Sequence, residues 1–157
     1  MSLDPPQGGK WSSDGLRLGI VCARYNEVLT DALMDKVTAI IKDAGEPERL
    51  VVERVPGSHE VPVAMSLMLE AETFDCLVGL GVVIKGSTSH HHLVAESAGQ
   101  AMQQLAVACS TPIINGIIVT DSIEDAEARV TGPLDRGGEF GEASLHMAEL
   151  KRKWTKN

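Results

Sequence analysis

The chain has 157 residues, of which 43% are hydrophobic and 23% charged, enough for one compact domain burying roughly 70% of the surface its unfolded chain would expose. Lys and Arg number 14 against 22 Asp and Glu, a net charge of −8 that excludes electrostatic capture of nucleic acid or an anionic membrane. A small anionic ligand, which needs only a few local donors, stays open.

Residues 1–15, rich in Pro, Gly and Ser and without periodicity, read as a flexible arm ahead of a single domain over 16–157. Leu18 to Ala23 is a short apolar strand, ending at Arg24-Tyr25-Asn26. Val28, Leu29, Ala32, Leu33, Val37, Ile40 and Ile41 then recur at helical spacing up to Ala44-Gly45, a helix stop. Leu50 to Val55 reads as a strand cut off by Pro56-Gly57, and Val61 to Leu69 as a helix. Phe74 to Ile84 is nearly all apolar, as a parallel strand buried on both faces should be. Lys85 to His91 is polar and loop-like, with a helix from there to Cys109. Pro112 to Val119 is the fourth strand. Thr120, Asp121 and Ser122 offer N-caps to a following helix, with Glu124 and Asp125 in its first turn, where the macrodipole favours acids. The final helix is placed at Glu142 to Lys153, after Gly137-Gly138.

Four strands alternating with helices imply an α/β fold. The expected form is a three-layer sandwich, with helices flanking a four-stranded parallel sheet in the flavodoxin-like order 2-1-3-4. The sequence's aromatics are only 3% of its residues, so Val, Ile, Leu, Ala and Met must fill the core. Cys22, Cys76 and Cys109 are far apart and have no metal-site spacing, which fits free thiols in a reducing compartment. No apolar run approaches the roughly 20 residues of a membrane span and no signal-peptide pattern opens the sequence. A soluble, cytoplasmic protein is expected.

Open α/β sheets bind ligands at the carboxyl ends of their strands, where the strand order reverses. In the order 2-1-3-4 this crevice lies between Arg24-Tyr25-Asn26-Glu27 and Lys85-Gly86-Ser87-Thr88-Ser89-His90, with Pro56-Gly57-Ser58-His59-Glu60 beside it. With His91 and His92, these segments hold four of the five histidines and the only tyrosine. Gly86-Ser87-Thr88, ahead of a helix, offers backbone N–H groups and hydroxyls to a phosphate, or else serves as a helix cap. Tyr25 offers a flat ring for stacking, or fills space. Glu60 suits a polyol ligand or a helix start, and Arg129 is a surface cation unless its helix meets the pocket, from a neighbouring subunit for example.

Other motifs fail on inspection. Gly79-Leu80-Gly81 lies inside a strand and opens no helix, so it is no dinucleotide fingerprint. Gly81 to Thr88 has phosphate-loop glycine spacing, but Ser87 stands where the lysine should follow the second glycine. His90, His91 and His92 point about 100° apart on a helix and do not easily share one metal, and His92 with Glu96 supplies two ligands only. No metal site is expected.

Four segments in register over roughly residues 16–150 resemble the lumazine synthase family of riboflavin biosynthesis. They are Ala23-Arg24-Tyr25-Asn26-Glu27, Val55 to Pro62, Gly81 to His90, and Pro112 to Ala126 through Thr120-Asp121-Ser122-Ile123-Glu124. The resemblance implies a transferase that condenses 5-amino-6-ribitylaminouracil with 3,4-dihydroxy-2-butanone 4-phosphate. The product is 6,7-dimethyl-8-ribityllumazine, with phosphate and water released and no cofactor or metal. It implies His90 as the proton carrier, Tyr25 (beside Asn26) stacked on the pyrimidine, and Ser58, His59 and Glu60 on the ribityl chain. Backbone groups of Val82, Val83 and Ile84 would meet the ring, Ser87 and Thr88 the phosphate. Arg129 would reach that phosphate from an adjacent subunit, and Asn115 would close the ring pocket across the same boundary. The family usually has Phe where His59 stands and often an aromatic where Asn115 stands. A homopentamer, or a multiple of pentamers, with sites at subunit interfaces is implied.

Two rivals from other classes follow. A non-catalytic lumazine or flavin binder on the same scaffold is motivated by Asn115 and His59, and opposed by the pairing of His90 with Arg129. A flavodoxin-like FMN carrier needs a Ser, Thr and Gly-rich loop after the first strand, where this chain has Arg24-Tyr25-Asn26.

Overall fold

The computed structural model describes residue 4, residues 6–88 and residues 90–155. Strand β1, Arg17–Ala23, is followed by helix α1, Glu27–Asp43, then β2, Arg49–Val55. A 3-10 turn at Ser58–Glu60 leads into α2, Val61–Ala71, and β3 is Cys76–Ile84. Then come α3, His90–Cys109, β4, Ile113–Thr120, α4, Ile123–Val130, and α5, Arg136–Thr155. The four strands pair in parallel in the order β2-β1-β3-β4, the three-layer α/β fold expected from the alternation. Among the described residues no helix is long and apolar enough to cross a membrane.

Alternation along the strands decides which layer each residue feeds. Leu18, Ile20 and Cys22 of β1 and Val78, Leu80 and Val82 of β3 enter a core with α1, α4 and α5. Val21, Ala23 and Leu77 face the other way, onto Val61 and Met65 of α2 and Met102 of α3. Gly79 shares that second face because a Cβ there would stand 2.7 Å from Met102 Sδ and 2.9 Å from Val61 Cγ1. The Gly79-Leu80-Gly81 pattern is therefore packing, not a nucleotide loop.

The helix caps follow local chemistry. Ser122 Oγ accepts from the Asp125 N–H at 3.1 Å, so of the three N-cap candidates Ser122 is the one that caps α4. The end of α1 is set by Gly45, whose φ of 147° is one that a side chain would strain.

Helix α5 begins at Arg136, not at Glu142, and the connection from α4 shortens to residues 131–135. Gly137 and Gly141 lie inside the helix because α1 runs against them: a Cβ at Gly137 would be 2.9 Å from Lys36 Cβ, and one at Gly141 2.8 Å from Ile40 Cβ. Glycine here sets a helix–helix distance and does not break the helix. Residues 6–10 have no helix or strand, but Trp11 stacks on His146 at 4.1 Å and Ser13 is fully buried. From Trp11 onward the arm is packed, held by an aromatic that has a partner on α5.

Cys22 and Cys76 are buried, and burial pushes the Cys22 thiol up to about 11 and Cys76 further. Cys109 is exposed at the end of α3. Because the thiolate is the reacting species, Ellman's reagent at pH 8 should find one fast thiol per native chain. All three should react after denaturation. Two fast thiols in the native protein would mean that one face of the sheet opens.

Candidate functional site

The cleft starts from a mismatch in strand length. β1 pairs with β3 only as far as Cys22 opposite Leu80, whereas β4 accompanies β3 to Ile84 opposite Thr120. Residues 81–84 therefore have a strand on one side only. The N–H groups of Leu77 and Lys85 donate to the carbonyls of Pro112, just before β4, and of Thr120 at its end. Alternation then turns the backbone of Val83 to β4 and that of Val82 and Ile84 to the open side. Asn26 covers part of this edge, its Nδ2 donating to the Val82 carbonyl at 2.8 Å. It does so from a left-handed backbone, φ 57° and ψ 52°, which Asn tolerates better than most residues.

The loop after β2 forms the second wall. The Gly57 N–H donates to Glu60 Oε2 at 2.9 Å, closing the 3-10 turn and occupying one oxygen of that carboxylate. Ser58 is buried and rests on β3 where Gly81 leaves room, since a Cβ at Gly81 would collide with Ser58 Oγ. A Cβ at Gly57 would lie 3.0 Å from Glu60 Oε2 and 3.3 Å from Tyr25 Cδ2. Two glycines thus let Tyr25, the turn and β3 approach one another. Tyr25 itself is 74% exposed, its ring presented to the cleft and solvent with no core to fill.

The third wall is the loop after β3. A Cβ at Gly86 would meet nothing within 4 Å, so the loop stands open ahead of α3. His90 opens that helix and is exposed, while His91, next to it, is buried.

These walls enclose a cleft of about 410 Å³. It is lined by Tyr25, Asn26, Ser58, His59 and Glu60, by Val82, Val83 and Ile84, and by Thr88 and His90. Val94 and His91 also line the cleft without having been expected as binding residues, and Gly57 and Gly86, expected only as parts of the flanking loops, line it too. Which histidine of the triplet is buried has no local signature. Three expected residues lie elsewhere. Ser87 is exposed beside the cleft without lining it. Arg129 turns back on its own helix, donating to the Asp125 carbonyl at 2.8 Å. Asn115 lines a separate hollow of about 450 Å³ between the arm and α5, with its Oδ1 accepting from the Ile117 N–H at 3.1 Å. That hollow is the larger of the two but is mainly apolar, walled by Pro6, Trp11, Ile114 and Phe140. Convergent polar groups favour the cleft.

Residues 15–152 match the family described as 6,7-dimethyl-8-ribityllumazine synthase. The 6,7-dimethyl-8-ribityllumazine synthase of Cupriavidus necator is 38% identical over 138 residues, covering 87% of this chain and 81% of that one. The Aquifex aeolicus protein of the same name is 34% identical over 144 residues, 90% and 94% of the two chains. That of Burkholderia mallei is 36% identical over 138 residues, 87% and 78%.

Asn26 combines an unusual backbone with a bond to the open strand edge, and the two can be separated. Asn26→Ala loses about 1 kcal/mol with the hydrogen bond and about 1 more for a left-handed alanine. Asn26→Gly should lose about half as much, because glycine accepts that backbone. Thermal melting at matched protein concentration reads the difference. Equal losses would remove backbone strain from the account.

Proposed function

The chain belongs to the 6,7-dimethyl-8-ribityllumazine synthase family, and we propose that it condenses 5-amino-6-ribitylaminouracil with 3,4-dihydroxy-2-butanone 4-phosphate to give 6,7-dimethyl-8-ribityllumazine, phosphate and water. The observation that carries this reading is the open edge of β3 with His90 at its end. A pyrimidine laid along that edge exchanges hydrogen bonds with the backbone of Val82 and Ile84, in place of the missing strand. Tyr25 covers one ring face. The ribityl hydroxyls extend to Ser58, His59 and Glu60, and the phosphate to the loop of Ser87 and Thr88 ahead of α3, where helix N–H groups favour an anion.

In this arrangement the primary amine attacks the butanone carbonyl, and the Schiff base loses phosphate before the ring closes. A neutral His90 takes up the proton released as phosphate departs and returns it during closure. The rest of the rate comes from holding two reactants together, a contribution that needs no strong acid or metal. Val83, whose backbone is engaged with β4, lines the pocket through its side chain. Arg129 and Asn115 lie outside the cleft of their own chain, and they serve it only if a second copy brings them. The family resemblance adds to this reading a homopentamer, or a multiple of pentamers, which would put each site at a subunit boundary, acting in the cytoplasm.

Mixing the two substrates with the protein and following lumazine fluorescence, beside the uncatalysed condensation, tests the proposal. His90→Ala should slow turnover by about 100-fold, toward the lower end of general acid–base effects, with product affinity nearly intact. Collapsed affinity with unchanged residual turnover would overturn the role of His90. No enhancement in the native protein, with product still bound, would make it a lumazine-binding protein on this scaffold.

A further inference from the structure

His91 has no bonding partner for either ring nitrogen, although it is only 6% exposed. A buried polar group left so costs on the order of 1–3 kcal/mol. Ser13 Oγ, Arg54 Nε and Arg136 Nε are also unpaired, but both arginines bond through their other nitrogens, whereas neither ring nitrogen of His91 has a partner. Beside it stands His92, with ring centroids 3.9 Å apart and planes tilted by 39°. Asp121, just past the end of β4, completes a cluster in which one ligand atom from each residue lies within 4.8 Å of the others. We propose that His91, His92 and Asp121 form a binding site for a borderline divalent metal ion, with Zn2+ as the fitting case.

The donor set selects the ion. Two imidazoles and one carboxylate suit Zn2+, Co2+ or Ni2+, whereas Ca2+ and Mg2+ require mainly oxygen. Donors at about 2.0–2.1 Å on a tetrahedral zinc stand about 3.3 Å apart, so ligand atoms within 4.8 Å of one another must close by up to about 1.5 Å. His92 and Asp121 are exposed and can rotate to do this, while burial fixes His91. The approach of adjacent histidines is possible because only their Cα–Cβ bonds diverge by 100°. Rings two bonds further out can fold back together at the first turn of a helix, where no preceding turn crowds them.

Competing contacts are weak. Lys85 Nζ is 3.9 Å from Asp121 Oδ1, a loose pair between two exposed side chains that contributes little. Glu96, one turn beyond His92, is engaged with Gln100 at 3.2 Å and stays outside the cluster. Three protein ligands leave a fourth tetrahedral position. That position is available to water or an anionic oxygen, and His91 itself is one of the residues that line the cleft.

The inference does not depend on the synthase reading, and its test needs no turnover. Zn2+ is titrated calorimetrically into the full chain after chelator treatment and buffer exchange. One ion per chain should bind, with Kd on the order of micromolar or tighter. His92→Ala and Asp121→Asn, both at exposed positions that should fold normally, should each weaken binding at least 10-fold. His146→Gln and Cys109→Ser, which remove other candidate ligands, should leave it unchanged. Co2+ in place of Zn2+ should give the visible absorption of a four-coordinate site, lost in the His92 variant. No binding at 100-fold the expected Kd, or a Kd indifferent to both the His92 and Asp121 changes, overturns the proposal.

Discussion

Residues 81–84 of β3 run past the end of β1 with a neighbour on one side only, and the cleft is built on that unpaired edge. Backbone groups left without partners in a protein interior are costly, so such an edge must meet water, a side chain or a ligand. Asn26 answers for Val82 by folding into a left-handed turn after β1. The same turn stops β1 from pairing further, so one residue both creates the open edge and partly covers it. Ser58 and Glu60 can reach the edge from β2 only because Gly81 and Gly57 lack side chains there.

The sheet beneath is suited to hold such an edge still. Both faces of β3 are buried: Val78, Leu80 and Val82 against α1 and α5, Leu77 against α2 and α3. The chain ends are tied in as well. Arg152 of α5 donates to both oxygens of Asp75 at 2.8 Å and to the Gly15 carbonyl at 2.7 Å, joining the last helix to the starts of β1 and β3. Side chains at the opposite, carboxyl end are left free to be polar, which is where the tyrosine and most histidines collect.

What could be read from the sequence was what local chemistry decides. β3 announced itself as an apolar run of the right length, and the Gly45 stop and the helix start near Thr120 to Ser122 lay in patterns of a few residues, while the parallel sheet followed from the alternation of strands and helices along the chain. The cleft's lining from Tyr25 to His90 was legible because strand ends in this topology must converge. What stayed hidden depended on a second element. Gly137 looked like a helix boundary since nothing in the sequence shows α1 lying against it. Trp11 looked like part of a loose arm because its partner, His146, is far away in the chain. The pairing of His91 and His92 with Asp121 was hidden twice, by distance along the chain and by a rule about helical spacing that applies to Cβ positions and not to rings.

The charge of the cleft ties the two proposals together. Among the described residues lining it there is no lysine or arginine, and Glu60 contributes a carboxylate. The net charge of the chain is −8, so the surrounding field does not help a phosphate enter. Helix N–H groups at the start of α3 supply partial charges only, which suffice to orient a phosphate but poorly balance a dianion. A full positive charge must come from outside the cleft as one chain forms it. Arg129 of another copy would bring one, making assembly a condition of binding. A divalent ion on His91, His92 and Asp121 would bring another, from the floor of the same chain. The first makes occupancy follow protein concentration, the second makes it follow metal concentration, and the two dependences are separable because the residues involved are different.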